Sequence, residues 1–140
     1  MVGDQMEIGF GTMADSNIKD FRDLRVWQDA IEMAKTIYEM TRLFPKEEIY
    51  GITNQMRRSS VSVSSNIAEG QSRGHLREYV HFLDIARGSI AELESQVVLS
   101  SELGFLSEEQ SRTVVEKIHS VRRQLTSLKT SLAKKMSASS

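Results

Sequence analysis

Residues 107–132 read SEEQSRTVVEKIHSVRRQLTSLKTSL. Within them Val114, Ile118, Val121, Leu125, Leu128 and Leu132 recur in alternating steps of four and three. At about 100° per residue these positions form one narrow stripe, the seam of a helix packed against other helices. Ser107 and Gln110 stand three apart at the front of the run. That is the spacing of a capping box, in which each side chain answers the other's backbone N–H. One long amphipathic helix cannot bury its seam alone, so the rest of the chain has to supply the opposing faces.

Working outward, the chain offers little punctuation. Pro45 is its only proline, and beyond Ile18 the glycines are Gly51, Gly70, Gly74, Gly88 and Gly104. A β domain of this length needs many turns, so the chain reads as a few long elements. Four helices are expected. The first runs from about Leu24 to Leu43, with Asp23 as N-cap and Pro45 just past its end. The second runs from about Glu47 to Glu69, with Gly70 as a left-handed cap. The third runs from about Leu76 to Leu103, closed by Gly104, and the fourth from Ser107 to about Lys135. Short connections make successive helices antiparallel. The fold class is therefore all-α, an antiparallel up-and-down four-helix bundle. Residues 1–18 show no periodicity and read as a mobile N-terminal tail, residues 19–136 as the bundle domain, and residues 137–140 as a disordered C-terminus.

Composition agrees with one ordinary domain. The 140 residues are 39% hydrophobic and 26% charged, with 18 Lys and Arg against 19 Asp and Glu, a net charge of -1. Such a balance excludes a histone-like or polybasic protein. Cysteine is absent, which removes disulfides, thiolate metal sites and thiol nucleophiles. No apolar run approaches the ~20 residues that span a bilayer, and no basic segment leads into an apolar core at the N-terminus. The expected localisation is cytoplasmic, with no membrane partner.

Helix one carries two apolar stripes. Leu24, Trp27, Ile31, Ala34 and Tyr38 read as its core face, and Val26, Ala30, Met33, Ile37, Met40 and Phe44 form a second stripe along its whole length. A second continuous apolar face points to burial against another subunit. Val26, Met33, Ile37, Met40 and Phe44 are accordingly the candidate interface residues of a homo-oligomer. Helix three adds Ile85, Leu99 and Leu103, oblique to its core face of Tyr79, Phe82, Leu83, Ala86, Ile90, Leu93 and Val97.

The chain shows no catalytic constellation. Glu78-x-x-His81 and Glu116-x-x-His119 have the spacing of di-iron bundle ligands, but helical phase turns both pairs away from the core. There is no G-x-S-x-G elbow and no phosphate-binding glycine loop. The expectation is a non-enzymatic protein with no metal and no cofactor.

The unusual segment is residues 55–70, QMRRSSVSVSSNIAEG, whose five serines make a poor intrinsic helix that packing must hold. Gln55, Arg58, Ser62, Asn66 and Glu69 share one narrow arc beside its apolar stripe, and Ser89 and Glu92 on helix three are natural partners. This row reads either as a polar network that fixes helix register or as a ligand site or interface. A mid-helix Gly88 suggests a close backbone approach nearby. Arg58 belongs to the row and is expected to be held by carboxylates such as Glu92. Arg57 points elsewhere and, with Arg73 and Arg77, forms a candidate nucleic-acid-binding patch. Helix four supplies two further candidates, Arg122 and Arg123, in a third of the chain with few acids after Glu109.

In order along the chain come Asp23-Leu24-Arg25-Val26-Trp27-Gln28, Ile37-Tyr38, Phe44-Pro45-Lys46-Glu47-Glu48, Tyr50-Gly51, Gln55-x-Arg57-Arg58, residues 62–70 SVSSNIAEG, and Gly88-Ser89 with Glu92-Leu93. This ordered set resembles the four-helix bundle proteins encoded in intervening sequences of bacterial 23S rRNA genes, over roughly Phe21 to Lys135. The family often has proline where this chain has Ser64, so helix two should run straighter and fully bonded here. The resemblance implies a cytosolic bacterial protein whose bundles assemble into a ring, with pentamers among the relatives. Distant and more basic relatives, the accessory proteins of diversity-generating retroelements, bind nucleic acid. Two functions stay open: a homo-oligomer that binds RNA or a nucleoprotein, and a protein-interaction scaffold with no nucleic-acid role.

Overall fold

The computed structural model describes residues 18–139. The tail expected over residues 1–18 lies almost wholly outside them. Four helices follow one another: α1 Arg25–Thr41, α2 Ile52–Ser72, α3 Leu76–Glu102 and α4 Glu108–Ser139. Short 3-10 turns at Phe21–Asp23 and Lys46–Glu48 precede α1 and α2. No strand occurs among the described residues. Each helix packs on its neighbours in the cyclic order α1, α2, α3, α4, and the backbones of diagonal helices do not approach one another. The result is an up-and-down four-helix bundle around one apolar core.

The α4 seam behaves as its spacing demands. Val114, Ile118, Val121 and Leu125 are fully buried, Leu132 is nearly so, and Leu128 packs on the cluster's edge. The capping box forms: Ser107 N–H donates to Gln110 Oε1 at 2.9 Å, and Gln110 N–H donates to Ser107 Oγ at 3.1 Å. α4 runs on to Ser139, so residues 137–139, read as part of a disordered end, continue the helix. Gly104 closes α3 as expected, at φ 80°, with Phe105 N–H bonded to Ser100 O and Gly104 N–H to Ser101 O.

Other boundaries differ. Asp23 does not cap α1; its carboxylate accepts the backbone N–H groups of Lys19 and Asp20 and stabilises the 3-10 turn instead. Gly70 lies inside α2, and the left-handed residue is Gly74, at φ 79°. Gly70 serves packing: a Cβ there would lie 2.9 Å from Phe82 Cβ and 3.2 Å from the Tyr79 carbonyl oxygen. Gly88, for which a close approach was expected, faces open space. α2 continues unbroken through Val63 and Ser64, as the absence of proline permits.

The α1 interface reading is overturned. Met33 and Ile37 are 0% exposed, Val26 and Phe44 are buried, and Met40 packs on the core's edge, all within the single chain. The expected core face carries the wetter residues: Trp27 is half-buried and Tyr38 is 39% exposed. The two stripes are adjacent arcs of one broad face. Ala30 and the flexible Met33 let α1 approach its neighbours closely, whereas the polar tips of Trp27 and Tyr38 stay at the rim. Trp27 covers Phe21 edge-on at 5.0 Å between ring centres.

Candidate nucleic-acid interface

Helical phase separates the two adjacent arginines of α2, but their roles are the reverse of those expected. Arg57 is half-buried on the flank facing α1. Its Nε donates to Thr41 Oγ1 at 2.9 Å, and its guanidinium lies 4.8 Å from the centre of the Tyr38 ring. Arg58 is exposed, as are Gln55, Glu69 and Glu92. The buried arc of α2 includes Ser59, Ser60, Ser64 and Gly70 beside Met56, Val63 and Ile67. These small residues let the long side chains at the row's edge extend past the α2–α3 seam into water. Only the short members of the expected network close. Ser62 Oγ and Ser89 Oγ are 2.8 Å apart across the seam, and Asn66 Nδ2 donates to Ser62 O at 2.8 Å and Ser62 Oγ at 3.1 Å. Arg58 and Glu92 form no ion pair, so the expected buried Arg58–carboxylate contact does not occur.

Of the expected patch of Arg57, Arg73 and Arg77, Arg73 is the one held by carboxylates, while Arg57 is turned toward α1. Arg73 Nε donates to Glu69 at 2.8 Å, its NH1 lies 3.5 Å from Glu78, and its guanidinium stacks 5.0 Å from the Phe82 ring centre. Arg77 is exposed. On α4, Arg122 pairs with Glu94, whose other oxygen is 2.9 Å from His119 Nε2. Arg122, followed by His119, holds the Glu94 carboxyl below its ordinary range. Arg123 is exposed. His119 therefore bridges α3 and α4, while Glu116 and His81 face solvent. Among the described residues no group of three or more His, Cys, Asp or Glu could hold a metal ion.

The structure assembles a basic groove that the sequence did not single out. Arg87 on α3 and Lys129 and Lys134 on α4 line it, with Thr126, Thr130, Ala133 and Ser137 between them. Asp84 is the acid at its edge, 2.7 Å from Lys129 Nζ and 3.3 Å from Arg87 NH1, and Lys129 draws its carboxyl below the ordinary range. Two cations share this one carboxylate. From Lys117 to the end of α4 there are six Lys and Arg and no Asp or Glu. The charge asymmetry was legible; the groove required knowing that the first turns of α3 lie beside the last turns of α4. Cations above hydroxyls in an open groove can hold phosphate oxygens, with the hydroxyls adding hydrogen bonds. Among the described residues no helix is long and apolar enough to cross a membrane.

A family model described as 23S rRNA-intervening sequence protein matches residues 22–127. The fold is also similar to the crystal structure of a protein of unknown function from the S23 ribosomal protein family of Bacteroides thetaiotaomicron VPI-5482. The TM-score is 0.67 at 21% identity, covering 74% of this chain and 96% of that one. At that identity the likeness shows the fold alone. No match was found among curated proteins.

Proposed function

Because this chain belongs to the 23S rRNA-intervening sequence protein family, we propose that it is a non-enzymatic, self-assembling cytoplasmic protein that binds RNA or a nucleoprotein. The observation that carries this reading is the groove of Arg87, Lys129 and Lys134, which continues along the acid-free half of α4. A salt series on RNA binding tests it. Each phosphate neutralised adds roughly 0.7–0.9 to the slope of log affinity against log salt. Lys129→Glu with Lys134→Glu is expected to weaken binding across sequences and to flatten that slope. Binding that ignores both salt and the charge reversal refutes the reading.

Self-assembly is supported by the outer face of α3 rather than by α1. Ile85, Leu99 and Leu103 are 39%, 49% and 53% exposed and share one side of the helix, with the open Gly88 between them. The pentamers that the chain's family resemblance implies make a ring of five the expected assembly. Light scattering at micromolar concentration is expected to show the assembly, and Leu99→Asp to dissociate it. A clean 15.8 kDa monomer from the parent chain overturns it. The same exposed face favours the second reading, a protein-interaction scaffold. That reading prevails if the assembly forms and no salt-sensitive RNA binding accompanies it.

A further inference from the structure

A second cavity lies at the opposite end of the bundle from the α4 groove, under the turn that joins α1 to α2. It measures about 380 Å³, within the ordinary range for small-ligand sites. Its walls are apolar at Phe44, Pro45 and Ile49, and cationic at Arg42, Lys46 and Arg57. Among the described residues none of these three cations is paired with a carboxylate. A half-buried guanidinium without a counter-ion is costly unless something anionic visits it. The nearby Glu48 forms no ion pair with any of them; its Oε1 accepts the Ile52 backbone N–H at 3.4 Å.

Arg57 is also oriented for such a visit. Thr41 engages its Nε, and Tyr38 supports the face of its guanidinium. Its terminal N–H groups are left to form a fork for a two-oxygen acceptor. The Thr41 hydroxyl has spent its own hydrogen on Ile37 O at 2.7 Å, so it fixes the arginine rather than the ligand. Thr53 differs. It is 2% exposed, lines the cavity, and its hydroxyl makes no hydrogen bond among the described residues. Among the described residues the fully buried side-chain polar atom without a partner is Gln96 Oε1, so the Thr53 hydroxyl is not sealed in the core and can donate to an acceptor in the cavity.

We infer that this cavity binds a phosphate monoester carried on a planar apolar group, the chemistry of a nucleoside monophosphate. Arg42, Lys46 and Arg57 meet the dianion, Thr53 donates to one of its oxygens, and Phe44, Pro45 and Ile49 receive the ring. The phosphate source is either a free nucleotide or the end of a nucleic-acid strand. The site is separate from the α4 groove and stands or falls apart from it.

The test is a titration of the isotope-labelled full chain, followed by amide NMR at physiological salt. The probes are inorganic phosphate, adenosine and adenosine 5′-monophosphate. Saturable shifts are expected at residues 41–57, with the monophosphate about tenfold tighter than either fragment. Arg57→Ala removes a contact between α1 and α2, so the decisive variants are the more peripheral Arg42→Ala with Lys46→Ala, and the near-isosteric Thr53→Val. Each is expected to weaken the monophosphate about tenfold. A short strand with a 5′-phosphate that binds tighter than the free nucleotide, and tighter than its 5′-hydroxyl form, identifies a strand end. A strand that binds no better identifies the free nucleotide. No saturation by ~10 mM, shifts confined to α4, or equal affinity in the variants overturns the inference.

Discussion

Replacing Gly70 with alanine tests the closest point of the α2–α3 contact. The new Cβ would stand 2.9 Å from Phe82 Cβ, with the Tyr79 ring and carbonyl oxygen at 3.2 Å. Carbon atoms in contact settle at about 3.5–4.0 Å, so the helices must separate by roughly 0.6–1 Å. Neither a Cβ nor a backbone oxygen can swing aside as the tip of a long side chain does. Overpacking of this kind costs about 1–3 kcal/mol. Alanine's better helix propensity offsets about 0.8–1.0 kcal/mol of that. The net expectation is a loss of up to about 2 kcal/mol, centred near about 1 kcal/mol, or roughly 3–4 °C in Tm for a domain of this size. Gly88→Ala is the matched control. It sits in the interior of α3 with open space where its Cβ would lie, so it is expected to gain about 0.5–1 kcal/mol. Urea unfolding of the parent and both variants, each at two protein concentrations, separates folding from assembly. A Gly70→Ala variant that gains stability as Gly88→Ala does would refute the close contact.

Arg57→Ala is expected to cost about 1–2 kcal/mol in a thermal melt, since it loses a hydrogen bond and a stacked ring, while Arg58→Ala stays within about 0.5 kcal/mol; equal melts would contradict the orientation of α2. Glu94 and Asp84 have folded pKa values below their unfolded ones, held down by Arg122 and Lys129 respectively. Their contribution is therefore complete above the ordinary carboxylate range near about 4 and is lost as pH falls through the lower folded values. Glu94→Gln should shrink the difference in unfolding free energy between neutral and acidic pH, and an unchanged difference would exclude the pairing. Ile37→Ala is expected to lower folding stability by about 2–5 kcal/mol, because the residue is wholly buried within one chain. If the variant keeps its unfolding midpoint and merely changes its assembly in sedimentation, the α1 stripe is an interface after all.

Local pattern alone determined the four helices, the seams of α3 and α4, the Ser107–Gln110 box and the cap at Gly104. In these places one segment carries the whole signal: a period, a three-residue spacing, or a glycine just past an apolar run. The family resemblance was equally legible, because it rests on an ordered set of short motifs. Tertiary structure alone decided which of the two α1 stripes is central, which α2 arginine is half-buried, and which cations are neutralised. An apolar pattern marks a helix's inner arc only broadly, and Trp27 and Met33 both fall on it. The neighbouring helices choose the part of that arc that closes, here the side where Ala30 and Met33 allow close approach. The same holds for charge: Glu94 reaches Arg122 and Asp84 reaches Lys129 across the α3–α4 seam. Spacing along the chain carries no record of such pairs, so the patch expected around Arg57 and Arg73 gave way to the groove of Arg87, Lys129 and Lys134.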